Sequence, residues 1–206
     1  MRTLFVIGDS ISMQYGPYLK SCLAGAWTYD RKRGAEHALQ DLDQPVGANG
    51  GDSALVLAYL EELQRSGSFQ PDLLLLNCGL HDIKTDPHTG AKQVPIAQYR
   101  ANLERIMGLL RQMRISTVWV RTTPVNDEQH NTRSREFHRF ARDVAEYNAI
   151  ADEVCTAAGA PLLDLFSFTR NLGEDVFCDH VHFTEPVRAQ QAAFIAGFLD
   201  SGIIGE

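Results

Sequence analysis

The sequence contains few cysteines and no segment typical of an interdomain linker. Four cysteines occur among 206 residues and none forms a C-x-x-C pair, so we expect reduced and mostly buried thiols rather than a disulfide framework. No stretch is rich in proline, glycine or serine, and a chain of this length suits one α/β domain. We therefore predict a single domain over residues 1–206.

Long hydrophobic runs are also absent. The first apolar run, Leu4–Ile7, is stopped by Gly8 and Asp9, whereas a signal peptide needs a longer apolar region and a small-residue cleavage site. No segment approaches the roughly 18 apolar residues of a membrane span. These features favour a cytoplasmic protein without a membrane span.

A basic surface is missing as well. The chain has 19 Lys and Arg against 26 Asp and Glu, a net charge of −7, and phosphate backbones bind to basic surfaces. We therefore expect no nucleic-acid partner. The rest of the composition is typical of a globular protein, since 44% hydrophobic and 22% charged residues allow a full core to be buried.

Short apolar segments alternate with longer amphipathic ones. The predicted strands are Thr3–Ile7, one short strand within Trp27–Val46, Leu73–Leu76, Thr117–Val120 and Leu162–Leu165. The predicted helices are Ser12–Cys22, Ser53–Arg65, Tyr99–Met113, Phe137–Ala158 and Glu185–Leu199, and Asn126–Arg135 is predicted to be a polar loop. This alternation predicts a parallel sheet with helices on both faces. Such sheets bind ligands at the carboxyl ends of their strands, where we expect the loops Ile83–Pro95 and Thr123–Ser134 to flank a crevice.

Gly8-Asp9-Ser10 follows the first predicted strand. A serine at this place would point its hydroxyl into the crevice, and the N-terminus of the next helix would supply N–H donors. Asp and Ser are also common caps of a strand-to-helix turn, so the tripeptide alone leaves both interpretations open. It differs from the G-x-S-x-G elbow, because Ser12 stands in place of the second glycine.

Asp179-His180-Val181-His182 precedes the last predicted helix. A serine nucleophile needs a base, and that base needs a carboxylate to orient it. Asp179 and His182 are three apart, so a tight turn would bring the carboxylate against the imidazole. Two other interpretations compete: a turn Asp with a structural His, or a metal site in which His180 and His182 lie on one side of an extended segment.

Together these two segments resemble the first and last motif blocks of the SGNH/GDSL hydrolase family. Two further segments resemble its middle blocks in the same order. Asn49-Gly50-Gly51-Asp52-Ser53 is similar to the block whose glycine lines the oxyanion hole, and Gly51 matches that glycine. A phosphate-binding loop is a weaker interpretation of this segment, since it lacks the P-loop lysine and the G-x-G-x-x-G spacing.

Gly79-Leu80-His81-Asp82 matches the family's Gly-x-Asn-Asp block, with one departure. His81 replaces the asparagine whose side chain lines the family's oxyanion hole. A neutral imidazole still offers one N–H donor, but the hole then depends on the tautomer and protonation of His81. His81 is otherwise interpreted as a strand-end residue without a catalytic role.

The resemblance implies a three-layer α/β/α sandwich with a central parallel sheet, the flavodoxin-like SGNH hydrolase fold. It also implies hydrolysis of a carboxylic ester through an acyl-enzyme, without a metal or organic cofactor. The implied substrate is a small-molecule or carbohydrate ester, such as an acetylated sugar, a short acyl ester, a thioester or a lysophospholipid. The implied catalytic residues are Ser10, Asp179 and His182, with Ser10, Gly51 and His81 in the oxyanion hole.

Two alternatives remain open. One is a metal-dependent hydrolase that uses His180 and His182. The other is a non-catalytic binding module of the same fold, inactivated by the change at His81.

Several arginines allow two interpretations. Arg121 follows the fourth predicted strand, and we expect it to pair with a nearby carboxylate rather than to touch substrate. Arg135, Arg139 and Arg142 recur at roughly helical spacing. Such a row could attract an anionic substrate, although it more often forms a solvated face.

Overall fold

A parallel sheet of five strands forms the centre of the protein. The computed structural model describes residues 1–202, so the last four residues of the predicted domain 1–206 lie outside the described part. The strands are β1 (Arg2–Ile7), β2 (Trp27–Arg31), β3 (Leu73–Leu76), β4 (Thr117–Val120) and β5 (Leu162–Leu163). All neighbouring strands are parallel, in the order β2-β1-β3-β4-β5. This is the flavodoxin-like order, and it confirms the predicted α/β/α fold.

Helices cover both faces of the sheet. They are α1 (Ser10–Cys22), α2 (Ala35–Ala38), α3 (Ser53–Ser66), α4 (Ile96–Met113), α5 (Asp127–Arg133), α6 (Ala141–Ala157), α7 (Leu165–Arg170) and α8 (Glu185–Asp200). Helices α1 and α7 pack against α8, whereas α4 packs between α3 and α6. Within residues 1–202, no helix has the length and apolar character needed to cross a membrane.

The central strand β3 consists of four leucines, all buried. Its neighbours β1 and β4 pair with it along both edges, and the leucine side chains, which alternate between the two faces of the sheet, are buried on both. An uninterrupted apolar run is typical of such a strand, and burying each leucine side chain contributes about 1.5–3 kcal/mol. The predicted bounds of β3 and β4 agree with the structure.

The prediction of a loop over Asn126–Arg135 was wrong, because this segment contains helix α5. The Asn126 side chain caps that helix by accepting from the Gln129 N–H at 2.9 Å. Two acidic residues then occupy the first turn, where they interact favourably with the helix dipole. The polar composition of this helix hid it from an argument based on hydrophobic periodicity.

The predicted helix Phe137–Ala158 begins only at Ala141. His138 instead pairs with Thr85 through two backbone hydrogen bonds of 2.8 Å, so the segment before Ala141 is extended. The last strand is also shorter than predicted. Asp164 ends it by capping α7, a helix that the sequence analysis did not predict, as it also missed α2.

The four cysteines are free thiols. Cys78 and Cys155 are buried, whereas Cys22 and Cys178 are exposed. The expectation of reduced thiols therefore agrees with the structure, but only two of the four are buried.

Candidate active site

Ser10 is the first residue of α1, and only Gly8 and Asp9 separate it from the carboxyl end of β1. The Asp9 side chain caps the helix by accepting from the Ile11 N–H at 2.9 Å. The Ser10 N–H lies in the first turn of the helix, where no intrahelical acceptor is available. Ser10 is 2% exposed, so its side chain is buried.

Asp179 holds the turn that precedes α8. One carboxylate oxygen accepts from the N–H of Val181 at 2.8 Å and of His182 at 2.7 Å. The other lies 2.7 Å from His182 Nδ1. Burial alone would raise the pKa of Asp179, but these hydrogen bonds and the nearby imidazole hold it below its ordinary value. Asp179 is therefore a carboxylate that orients the imidazole of His182.

The second nitrogen of His182 reaches the serine. Its Nε2 lies 2.9 Å from Ser10 Oγ, and His182 is 2% exposed. Because Asp179 only accepts hydrogen bonds, Nδ1 carries the proton and Nε2 is left to accept from the Ser10 hydroxyl. The three predicted side chains thus form one hydrogen-bonded series with the geometry of a Ser-His-Asp triad.

Gly51 lies just before α3, in a conformation that favours glycine. Its φ is +72°, and a Cβ at this position would lie 2.7 Å from Pro45 Cβ and 2.7 Å from Leu55 Cδ1. The Gly51 N–H is donated to Asn49 Oδ1 at 3.0 Å. It could therefore act in an oxyanion hole only by sharing this bond or leaving it, a condition that the sequence did not reveal.

His81 lies in the loop after β3 and is 2% exposed. The next residue, Asp82, anchors that loop to the start of α3 by accepting from the Ser53 N–H at 2.9 and 3.1 Å. Burial, with the positive charges of Lys84 and Arg139, lowers the pKa of His81 well below its ordinary value. Burial at this position therefore favours the neutral imidazole, which has one N–H to donate.

Arg139 corrects the interpretation of the arginine row. Arg135 and Arg142 are exposed, but Arg139 is only 1% exposed, so the three do not form one solvated face. Its Nε donates to the Leu80 carbonyl at 2.8 Å, and its Nη1 lies 2.8 Å from His130 Nε2. The charge of Arg139 is therefore buried beside the His81 loop.

Two further residues, which the sequence did not single out, contact the turn Asp179–His182, here called the triad turn. Asp43 Oδ2 lies 2.9 Å from His180 Nε2, and the Gln129 side chain donates to the Asp179 carbonyl. The only sequence signal was the position of Gln129 within a loop expected to flank the crevice. Nothing in the sequence pointed to Asp43.

The same contacts bear on the metal alternative. Asp179, His180 and His182 each offer one ligand atom, and these atoms lie within 4.8 Å of one another. The nitrogens of His182 are, however, engaged by Asp179 and Ser10, and His180 Nε2 is engaged by Asp43. A metal would have to break several of these hydrogen bonds, so the arrangement favours a triad.

Arg121 pairs with carboxylates, as expected. Its guanidinium contacts both oxygens of Asp152, at 2.9 and 2.6 Å, and one oxygen of Asp164 at 2.8 Å. These ion pairs join β4 to α6 and to the start of α7.

Comparisons with known proteins agree with the geometry. Residues 6–187 match the GDSL-like Lipase/Acylhydrolase family, while a comparison with the curated proteins gave no match. Among solved structures, the chain is similar to the acetyl xylan esterase AlAXEase, with 14% identity, a TM-score of 0.69 and coverage of 96% of this chain and 99% of that chain.

It is also similar to the lipase/acylhydrolase from Enterococcus faecalis, with 17% identity, a TM-score of 0.70 and coverage of 97% and 95%. Est24, a carbohydrate acetylesterase from Sinorhizobium meliloti, has 12% identity, a TM-score of 0.67 and coverage of 97% and 98%. At these identities the solved structures show the fold, whereas the family match spans most of the sequence. The chain therefore belongs to the GDSL-like lipase/acylhydrolase family and is a hydrolase of ester bonds.

Proposed function

We propose that the protein hydrolyses carboxylic esters through an acyl-enzyme on Ser10. The observation that carries the proposal is the series of hydrogen bonds from Ser10 Oγ to His182 Nε2, at 2.9 Å, and from His182 Nδ1 to Asp179, at 2.7 Å. In this arrangement His182 is the general base and acid, and Asp179 fixes its tautomer.

The reaction proceeds in two halves. As Ser10 Oγ bonds to the ester carbonyl carbon, its proton passes to His182 Nε2 and the carbonyl oxygen becomes an oxyanion. The tetrahedral intermediate collapses, and the leaving alkoxide takes that proton from His182. Water then gives a proton to His182 and attacks the acyl-enzyme, and Ser10 Oγ recovers this proton as it leaves. One water is consumed, and a carboxylic acid and an alcohol are released without a metal or organic cofactor.

The oxyanion is stabilised by three N–H donors. The Ser10 N–H, in the first turn of α1, is available without rearrangement. The neutral imidazole of His81 supplies a second donor in place of the family's amide. The Gly51 N–H supplies a third when its bond to Asn49 Oδ1 is shared with the substrate.

The substrate is an ester with a short acyl group, and an acetylated carbohydrate is the class that we favour. The named activities of two similar structures, acetyl xylan esterase and carbohydrate acetylesterase, support an acetyl group on a sugar.

A serine-directed organophosphorus probe tests the proposal. We expect one label per chain on the peptide that contains Ser10, together with loss of esterase activity. Ser10→Ala should take up no label, whereas Ser68→Ala, at an exposed serine outside the crevice, should be labelled like the parent. An active parent that resists the probe but is inhibited by EDTA would favour the metal alternative. A parent that is neither labelled nor active would indicate a binding module.

A further inference from the structure

A second carboxylate–imidazole pair, formed by Asp43 and His180, lies next to the triad. Asp43 Oδ2 is 2.9 Å from His180 Nε2, and the His180 ring centroid lies 5.8 Å from that of His182. In the part of the chain that the structure describes, His180 Nδ1 is buried without a hydrogen-bond partner. The His180 ring is therefore oriented by its hydrogen bond to Asp43 and by the His130 ring, whose centroid lies 4.8 Å away. His180 lies between Asp179 and His182 in the chain, so fixing it restrains the turn that carries both.

Asp43 is also tied to the glycine of the expected oxyanion hole. Asn49 Nδ2 donates to the carbonyls of Leu42, at 3.1 Å, and Gln44, at 3.2 Å, on either side of Asp43. The Oδ1 of the same side chain accepts from the Gly51 N–H at 3.0 Å. Asn49 therefore connects the backbone around Asp43 directly to Gly51.

Two cationic side chains connect Asp43 to the His81 loop. Lys84 Nζ donates to the Asp43 carbonyl at 2.8 Å. The guanidinium of Arg139 lies 3.9 Å from Asp43 Oδ1, and it donates to the carbonyl of Leu80 at 2.8 Å. Leu80 directly precedes His81, so these contacts link Asp43 to the loop that carries the imidazole.

Asp43 carries its negative charge over a wide pH range. Burial would raise its pKa, but the hydrogen bond from His180 and the charge of Arg139 lower the pKa to about 2. The carboxylate is therefore the charged centre that His180 and Arg139 contact, while Lys84 binds the backbone carbonyl of the same residue.

We propose that Asp43 and His180 are positioning residues. They hold the triad turn at a fixed position relative to the loops that carry Gly51 and His81. The inference rests on the esterase mechanism proposed above. Neither side chain touches the reacting atoms; both act through the residues that do. Displacing a reacting group by about 1 Å can cost on the order of 10²-fold in rate. A partial loosening of the turn should therefore lower kcat by roughly tenfold.

The test compares two variants at His180. His180→Leu fills a similar volume but removes the hydrogen bond to Asp43, whereas His180→Gln keeps an N–H near the position of Nε2. We expect His180→Leu to lower kcat about tenfold while KM changes less than about threefold, because positioning acts on the transition state. His180→Gln should recover most of the loss. His37→Leu, at an exposed histidine on α2, is the matched control and should behave like the parent.

Asp43→Asn provides a second test of the same inference. Because the two side chains act as one pair, Asp43→Asn combined with His180→Leu should lower kcat no further than the more damaging single change. The organophosphorus labelling rate of Ser10 should fall in parallel with kcat, since labelling needs the same alignment of Ser10 and His182. Should Asp43→Asn fail to fold, the His180 comparison decides alone.

Three outcomes would overturn the inference. They are a kcat for His180→Leu within twofold of the parent, the same loss in His180→Gln as in His180→Leu, and additive losses in the double variant. Any of these, in a parent that is labelled at Ser10, would leave the esterase mechanism intact. A parent that is not labelled, or an active Ser10→Ala, would instead refute that mechanism.

Discussion

On the triad side of the crevice, the side chains are already hydrogen-bonded to one another in the order that proton transfer requires. On the side of the proposed oxyanion hole, the Gly51 N–H is donated to Asn49, and His81 is buried with its pKa lowered well below its ordinary value. The first region therefore needs no rearrangement before reaction, whereas the second must transfer or share a hydrogen bond as the oxyanion forms. Changes in the triad should abolish the reaction, and changes in the oxyanion hole should lower its rate by graded amounts.

The largest effect is expected at the nucleophile. Ser10→Ala should lower turnover on the order of 10⁶-fold, the usual cost of losing a triad nucleophile. The fold should persist, because alanine keeps the buried Cβ and loses only the hydroxyl with its hydrogen bond to His182. Esterase assays and a thermal melt measure the two quantities. A clean preparation of the variant that kept a tenth of the parent's activity would remove Ser10 from the mechanism.

The next effect separates two neighbouring histidines. His182→Ala should be nearly inactive because the general base is lost. His180→Ala should retain roughly a tenth of the parental rate, since only positioning is lost. Activity assays with and without EDTA provide the comparison, and we expect chelation to change neither variant. Equal losses at both positions together with inhibition by EDTA would support a metal site instead of a triad.

A smaller loss is expected on the oxyanion side. His81→Ala should lower kcat by roughly 10²–10³-fold, the usual cost of one oxyanion-hole donor. KM should change little, because the oxyanion exists only in the transition state. His81→Asn should recover part of the loss by restoring an N–H near the same place. If both variants matched the parent in steady-state kinetics, His81 would be structural and the hole would consist of backbone donors alone.

The smallest effect concerns stability and tests whether His81 is neutral. Its pKa in the folded protein lies well below its ordinary value, so below about pH 6.5 the unfolded chain binds a proton at His81 that the folded protein does not. The contribution of the neutral imidazole to the free energy of unfolding is therefore fully present above that pH and is lost as the pH falls. His81→Asn should remove this dependence.

Denaturant unfolding of the parent and of His81→Asn between pH 7 and pH 5 measures this pH dependence of stability. Relative to the parent, the free energy of unfolding of His81→Asn should rise by up to about 1.4 kcal/mol for each pH unit below about 6.5. A difference that did not change with pH would mean that His81 takes up a proton in the folded protein.

The sequence predicted the parts of the site that depend on local order along the chain. Ser10 lies three residues after the end of a strand, and Asp179 and His182 share one turn, so a short motif identifies each. The strand Leu73–Leu76 was recognisable for a similar reason, since four consecutive leucines fit a buried parallel strand.

The supporting network could not be predicted in this way. Asp43 and His180 are 137 residues apart, and Arg139 and Leu80 are 59 apart, so their contacts exist only in the folded chain. The spacing of the arginines was misleading as well. It resembles a helix, but the segment around Arg139 is not helical before Ala141, and the guanidinium is buried.

The acyl-enzyme is tested most directly by acid-quenching the protein during turnover of an activated acetyl ester and mapping the acetyl group by peptide mass spectrometry. The account predicts acetylation of the peptide that contains Ser10 in the parent, and none on that peptide in Ser10→Ala. Hydrolysis by the parent with the acetyl group on another residue, or equal acetylation of the same peptide in Ser10→Ala, would contradict it.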